Sequence, residues 1–205
     1  MKICIQKGNT KIGKALNVSL PAGISCPEGV PCYHLCYARK LSDLRKTVKD
    51  AWMRNWEILN ADMRDYFNQI SEAIEKQKPE YFRWHVSGDI PSLEYFHEMV
   101  VLAKRFKEVH FACYTKTDFP EQWLKIIYHP RIVKDGGMKA RIPPNLSILR
   151  SVWGEWNTMP GSHFKKFVFV PRGEDAPRGA FICLGRCEDC HECWYPRHNV
   201  YIHQH

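Results

Sequence analysis

The chain has 205 residues, of which 44% are hydrophobic and 13% aromatic, so it can build one domain of ordinary size with its own apolar core. Its first residues contain no long apolar run, and no later stretch reaches the roughly 18 apolar residues of a membrane span, so we expect neither a signal peptide nor a membrane partner. This pattern predicts a cytoplasmic protein with reduced thiols. The formal net charge of +8 fits an anionic partner, such as a nucleic acid or a nucleotide-like cofactor, although a solvated basic surface is the commonest explanation.

The first part of the chain is predicted to be extended and then helical. Residues 1–25 are turn-rich, and the alternation of apolar and polar residues over 16–20 is typical of a half-buried strand. A cysteine-rich loop follows at 26–36. Apolar residues then recur at helical spacing over 38–59 and again over 61–76, which predicts two helices.

Strands and helices alternate along the rest of the chain. The predicted elements are a strand at 81–86, a helix at 92–106 with Ser92 as its N-cap, a strand at 109–114, a helix at 121–128, a loop at 131–145, and strands at 146–152, 167–170 and 180–182. Such alternation is typical of parallel βαβ units joined by right-handed crossovers. These strands are too few for an eight-unit barrel, so we predict a single α/β domain over 1–205, built as a partial (β/α) barrel or an open, curved parallel sheet.

Seven of the nine cysteines lie in two short windows, one in the 26–36 loop and one in a C-terminal cluster at 183–193. Crowded thiols in a chain without signs of secretion are typical of metal ligands, whereas a disulfide framework is typical of short secreted domains. We therefore predict metal binding and keep disulfides as the alternative. The predicted ligands are Cys26, Cys32, Cys36, Cys183, Cys187, Cys190 and Cys193.

The N-terminal group supplies only three thiolates. Three cysteines can hold three irons of a [4Fe-4S] cluster and leave the fourth iron open to a small-molecule ligand. Zinc is the alternative metal, with His34 or a distant side chain as the fourth ligand. The gaps of five and three residues between Cys26, Cys32 and Cys36 match neither a zinc finger nor a ferredoxin run.

The C-terminal group supplies four thiolates and so predicts a closed site, with a structural or electron-transfer role. Its gaps of three, two and two residues occur in ferredoxin-like clusters and in zinc ribbons. Cys183, Cys187 and Cys190 also have the spacing of the cysteine motif of radical S-adenosylmethionine enzymes. The nearby Cys193 and the C-terminal position of the group indicate that this match is accidental.

Two further groups of residues follow predicted strands at the edge where the 26–36 loop is expected. Ser87, Gly88 and Asp89 follow one strand, and Thr115 and Lys116 follow the next. Asp89 can bind an amine or a ribose hydroxyl, Gly88 can admit a ligand close to the backbone, and Lys116 can pair with a carboxylate or phosphate. The alternatives are a strand-ending turn for the aspartate and a plain surface lysine.

Several motifs resemble those of the phage and bacterial gene product 88-like family. They lie at 8–14, 20–23, 26–40, 85–89, 114–116, 151–153 and 182–194, and so extend over nearly the whole chain. The resemblance implies a small, cytoplasmic or phage-encoded iron–sulfur protein.

The sequence also has a more distant resemblance to radical S-adenosylmethionine enzymes. By position, the 26–36 loop resembles their three-cysteine loop, and 87–89 resembles their glycine-containing motif that holds the cofactor's amino group. The usual gaps of three and then two residues are absent from this loop. The resemblance implies S-adenosylmethionine bound at the open iron.

We therefore expect a radical-SAM-like iron–sulfur enzyme with two [4Fe-4S] clusters, S-adenosylmethionine as its ligand and an electron donor as partner. The predicted cofactor-binding residues are Ser87, Gly88, Asp89, Thr115 and Lys116. The alternative is a non-catalytic zinc or iron–sulfur protein that binds nucleic acid.

Overall fold

One sheet of eight strands organises the protein. The computed structural model describes residues 1–9, 11–127, 142–156 and 162–203. In this part of the chain the strands are β1 Ile5–Asn9, β2 Gly13–Val18, β3 Tyr81–Trp84, β4 His110–Thr115, β5 Leu146–Trp153, β6 Lys165–Val170, β7 Phe181–Ile182 and β8 Val200–His203. Their spatial order is β1-β2-β3-β4-β5-β6-β8-β7. Only the β1–β2 pairing is antiparallel, and β1 and β7 do not pair with each other, so the sheet is open.

Helices connect most of the parallel strands. Those in the described ranges are α1 Tyr37–Leu44, α2 Lys46–Ala61, α3 Met63–Gln77, α4 Leu93–Arg105, α5 Phe119–Ile127 and α6 Cys187–Cys190. The Ser92 side chain accepts a hydrogen bond from the Tyr95 amide at 3.1 Å, which confirms the predicted N-cap of α4. Asp62 caps α3 in the same way, through the Asp65 amide at 2.9 Å. No helix in the described part of the chain has the length and apolarity that crossing a membrane requires.

The two faces of the sheet have different coverings. On one face, which we call the helix-covered face, residues such as Leu16, Phe82 and Phe111 pack with buried residues of α2, α3 and α4. On the opposite face, the cysteine-covered face, Ala112 and Leu149 pack with the C-terminal segment that contains Cys183, Cys187, Cys193 and Trp194. Because successive side chains of a strand alternate between faces, each central strand serves both cores.

The structure differs from the sequence prediction in several local features. The helix predicted over 38–59 is two helices, because Arg45 has an extended backbone with φ −127° and ψ 96°. Strand β3 ends at Trp84, two residues early, because His85 has a positive φ of 56°. Strand β8 was not predicted. The strand predicted over 16–20 is β2, which covers Gly13–Val18 and pairs antiparallel with β1, a strand that was not predicted. The helix predicted at 121–128 and the loop predicted at 131–145 can be compared with the structure only in part, because residues 128 and 131–141 lie outside the described residues.

Candidate metal centres and ligand site

The predicted convergence of three loops at one edge of the sheet is present in the structure. Strands β2, β3 and β4 are parallel neighbours, with Val18 opposite Trp84 and Trp84 opposite Cys113. The cysteine loop 26–36 follows β2, Ser87 to Asp89 follow β3, and Lys116 follows β4. All three segments therefore leave the sheet at the same edge.

Hydrogen bonds hold the start of the cysteine loop onto the segment that follows β3. The Leu20 amide donates to the Ser87 carbonyl at 3.0 Å, and the Asp89 amide donates to Ser25 Oγ at 3.3 Å. Gly88 lies between these contacts with a φ of +86°, and a Cβ there would lie 2.4 Å from Ser25 Oγ. The absence of a side chain at Gly88 therefore serves the approach of the chain's own loop, whereas the sequence analysis expected it to admit a ligand.

Asp89 is fully buried and hydrogen-bonded to the protein itself. Its Oδ1 accepts bonds from Thr115 Oγ1 at 2.6 Å and from the Ile90 amide at 2.8 Å. Its Oδ2 accepts bonds from the Lys116 amide at 2.9 Å and from Lys116 Nζ at 3.1 Å. With four internal donors, Asp89 acts as the residue that fixes Lys116, and Thr115 supports it.

Lys116 is a positively charged group next to the N-terminal cysteines. Its side chain is 14% exposed. Burial acts to lower its pKa, but Asp89 and the thiols of Cys26 and Cys32 together raise the pKa of Lys116 above its ordinary value. The ammonium group is therefore charged at neutral pH. Its charge in turn acts on both cysteines.

The three N-terminal cysteines are partly buried and lie within one another's electric field. Burial raises the pKa of Cys26 and of Cys32, the charge of Lys116 lowers both, and the other thiols of the group raise both. Cys36 is the N-cap residue of α1. Within the described ranges, no three cysteine, histidine, aspartate or glutamate side chains are arranged to hold a metal ion.

The four C-terminal cysteines line one pocket on the cysteine-covered face. Backbone hydrogen bonds fix two of these cysteines, from the Cys183 amide to the Tyr201 carbonyl and from the Cys187 amide to the Lys11 carbonyl, both at 2.7 Å. Burial raises the pKa of Cys193 to about 12, although hydrogen bonding by Tyr114 and the charge of Arg83 act against the rise.

Arg83 is an important residue that the sequence analysis did not identify. It lies on β3, is 6% exposed, and places its guanidinium carbon 3.4 Å from the centre of the Tyr114 ring. Its charge lowers the pKa of Cys187, which burial raises. It also lowers the pKa of Tyr37, the neighbour of Cys36, which desolvation raises. One buried cation therefore acts on groups next to both sets of cysteines.

A signal for Arg83 was present in the sequence. It is the one charged residue among the apolar residues of β3, whose burial is nearly complete. A charged residue in a buried strand requires a partner for its charge. His85, which follows β3, is also buried, and its Nε2 lies 3.0 Å from the Tyr95 hydroxyl.

All nine cysteines lie in the described ranges and are free thiols, so the structure contains no disulfide among them. The disulfide alternative of the sequence analysis is thus not realised in this structure. Both predicted sets of ligands remain available as thiols.

Comparison with known proteins identifies relatives of this chain. It is 35% identical to the "Gene 88 protein" of Mycobacterium phage D29 and 33% identical to that of Mycobacterium phage L5, each over 121 residues and 53% of this chain. The matches cover 50% and 51% of those proteins, so the chain spans about half the length of the curated relatives. No solved structure matches the chain. A family model described as Gene product 88 matches residues 3–199, and the chain therefore belongs to the Gene product 88 family.

Proposed function

We propose that the protein is an iron–sulfur enzyme that binds S-adenosylmethionine at an open-iron [4Fe-4S] cluster held by Cys26, Cys32 and Cys36. The observation that supports this most strongly is the position of Lys116, a buried and charged ammonium group whose pKa Cys26 and Cys32 raise. A fixed cation beside two of the cysteines, at the edge of a parallel sheet, can stabilise both the negative charge of a cluster and an anionic group of its ligand.

The residues present fit such a cluster. Burial and the thiol of Cys36 raise the pKa of both Cys26 and Cys32, whereas no three such side chains in the described part of the chain are arranged to hold a single metal ion. This arrangement is compatible with a cluster, because each cysteine of a cluster binds a different iron. A bound cluster would supply a reducing electron and an open coordination position.

The chain's own groups would bind and orient the ligand. We assign Lys116 to the carboxylate of the methionine moiety, with Asp89 and Thr115 holding the lysine in place. Ser87 Oγ is buried and has no hydrogen-bond partner among the described residues. Because buried hydroxyl groups are nearly always paired, we assign Ser87 to a polar group of the same ligand.

The four C-terminal cysteines would hold the second [4Fe-4S] cluster. Four thiolates leave no open position, so this centre would stabilise the C-terminal segment or pass electrons from a donor. Its ligands lie on the cysteine-covered face, which Arg83 connects electrostatically to the surroundings of Cys36.

The test is a titration of the anaerobically reconstituted protein with S-adenosylmethionine, followed by electron paramagnetic resonance of the reduced protein. The wild type should change its spectrum on addition of the ligand. Lys116→Met should retain its iron but need about tenfold to a hundredfold more ligand, as for loss of one charged hydrogen bond. An unchanged wild-type spectrum at saturating ligand contradicts the proposal.

Nucleic-acid binding is a second candidate, and the surface near the cysteine loop favours it. Tyr33 and Leu35 are 42% and 65% exposed, and the guanidinium carbon of Arg39 lies 3.9 Å from the centre of the Tyr33 ring. Exposed aromatic and basic groups of this kind bind unpaired bases and phosphates. Binding of a fluorescent single-stranded oligonucleotide with a steep salt dependence, together with no response to S-adenosylmethionine, would favour this function.

A further inference from the structure

We propose that Arg83 and Tyr114 support an anionic metal–thiolate centre at the four C-terminal cysteines, Arg83 by balancing its charge and Tyr114 by donating a hydrogen bond to Cys193. This inference rests on the metal assignment under the proposed function. It does not depend on S-adenosylmethionine or on the N-terminal cluster.

The first observation is that Arg83 is a buried cation without a carboxylate partner in the described part of the chain. Its side chain is 6% exposed, and the ion pairs found among the described residues do not include it. Its Nε is buried and has no hydrogen-bond partner there. Isolated charges are very costly to bury, so a negative charge near Arg83 would stabilise the folded protein.

The second observation is where that negative charge can arise. Arg83 lies on the cysteine-covered side of β3, since its neighbours Phe82 and Trp84 belong to the core of the helix-covered face. The core of the cysteine-covered face includes Cys193, and Cys183, Cys187 and Tyr114 pack against it. Metal-bound cysteines are thiolates, so metal binding would give Arg83 the anion it lacks.

The third observation is that Tyr114 connects Arg83 to one of these cysteines. The Tyr114 ring lies under the guanidinium group, and the same ring packs against the core of the cysteine-covered face, which includes Cys193. A hydroxyl group that donates a hydrogen bond to a ligating sulfur orients it and withdraws charge from it. Such outer groups commonly change metal affinity by about tenfold to a hundredfold, and they shift the reduction potential of a cluster.

The competing explanation is that Arg83 only packs on Tyr114 through a cation–π contact. The two explanations differ in what happens to the metal. If the contact is only packing, removal of the charge or of the hydroxyl group will change the thermal stability and leave metal retention unchanged.

The experiment uses the full-length protein with Cys26, Cys32 and Cys36 all changed to Ala, so that iron reports on the C-terminal centre alone. Arg83→Met, Arg83→Lys and Tyr114→Phe are made in this background and reconstituted anaerobically with ferrous iron and sulfide. Tyr66→Phe is the matched control, because Tyr66 is a buried tyrosine of the helix-covered core whose hydroxyl contacts Tyr95 at 3.4 Å. Iron retention against a chelator and the reduction potential are measured for each variant.

We expect Arg83→Met and Tyr114→Phe to release iron about tenfold to a hundredfold more readily than the background protein and to have a more negative reduction potential. Arg83→Lys should restore part of the retention, and Tyr66→Phe should behave like the background. Equal retention and potential in Tyr114→Phe and Tyr66→Phe overturn the proposal. The comparison of Tyr114→Phe with Tyr66→Phe tests the proposal even if Arg83→Met does not fold, because each of these two variants loses only a single oxygen atom.

Failure of this inference is distinguishable from failure of the proposed function. Loss of iron in Tyr114→Phe supports the inference even when the wild type does not respond to S-adenosylmethionine. A wild type that responds to the ligand, with unchanged iron retention in Tyr114→Phe, contradicts the inference alone.

Discussion

Lys116 Nζ lies 3.1 Å from Asp89 Oδ2, and this ion pair joins the ends of two neighbouring parallel strands, β3 and β4. Asp89 is completely buried, and Lys116 lies next to two of the N-terminal cysteines. The pair therefore has two roles, because it closes the edge of the sheet and holds one positive charge at the cysteine loop.

Loss of the charge on Asp89 should lower the free energy of unfolding far more than the same change at a surface ion pair. Asp89→Asn replaces one acceptor oxygen by an NH2 group, so the donors on one side of the side chain lose their acceptor and Lys116 loses its counter-charge. We therefore expect a loss of about 3–5 kcal/mol in the free energy of unfolding. Asp50→Asn is the matched control. Asp50 pairs with Lys46 at 2.6 Å, but the two side chains are 50% and 86% exposed, so its loss should be below about 1 kcal/mol.

Denaturant unfolding of the two variants against the wild type measures this difference. Similar losses for Asp89→Asn and Asp50→Asn would show that the Asp89–Lys116 pair is not an important contact of the folded state.

Gly88→Ala should separate the cysteine loop from the segment after β3. An added methyl group meets Ser25 Oγ at 2.4 Å and the Leu20 carbonyl oxygen at 2.9 Å, and the φ of +86° is itself unfavourable for alanine. We expect a loss of about 2–4 kcal/mol in the free energy of unfolding, from overpacking and backbone strain together.

Gly29→Ala is the control for the backbone strain alone. Gly29 lies in the same loop with a φ of +69°, and nothing lies within 4 Å of an added Cβ. Thermal unfolding should show a loss near 1 kcal/mol for this variant. An equal loss at the two glycines would mean that the loop does not pack closely on Gly88.

The buried His85 should make stability depend on pH. Burial lowers its pKa to about 3, from an ordinary value of about 6.5, so the folded state keeps the imidazole neutral while the unfolded state protonates it. Since the unfolded state then binds more protons, the contribution is complete above pH 6.5 and is lost as the pH falls from about 6.5 towards 3.

His85→Asn should remove this part of the pH dependence. Asparagine tolerates the positive φ at this position and keeps a polar group near Tyr95. Between pH 7.5 and 5 the wild type should lose about 2 kcal/mol more in the free energy of unfolding than the variant. If the free energy of unfolding changes with pH equally in the two proteins, His85 is protonated in the folded state as well, and the prediction is wrong.

The two sets of cysteines should respond differently to single substitutions. Cys32→Ala should abolish the response to S-adenosylmethionine, because it would remove one of the three thiolates that we propose hold the N-terminal cluster. Cys190→Ala should chiefly reduce the yield of folded protein, because a closed metal site contributes directly to folding. Cys113→Ala is the control, since Cys113 is buried in the core of the helix-covered face and belongs to neither set. Equal losses of yield with no change in ligand response would contradict this division of roles.

Much of the fold follows from local signals in the sequence. The cap at Ser92, the helical spacing of α3 and α4, and the alternation of strands and helices predict the parallel centre of the sheet. The short edge strands are harder to predict, because β8 has only four residues and its pairing with β6 and β7 depends on tertiary contacts.

The candidate site was predictable at the level of segments but not of individual contacts. Parallel strands place the cysteine loop, Asp89 and Lys116 at one edge, and the strand pattern alone indicates this. The roles of Asp89 and Gly88 depend on groups far away in sequence, such as Ser25 and Thr115. Sequence spacing gives no information on such contacts, so the sequence assigned both residues to a ligand but did not show that they also hold the protein's own segments together.

The central claim is that both cysteine groups hold iron–sulfur clusters. Its most direct test is the measurement of iron, acid-labile sulfide and zinc in protein purified without oxygen. The account predicts about eight irons and eight sulfides per chain, as two four-iron clusters require, and about half of each in the variant with Cys26, Cys32 and Cys36 changed to Ala. Stoichiometric zinc without acid-labile sulfide would contradict it.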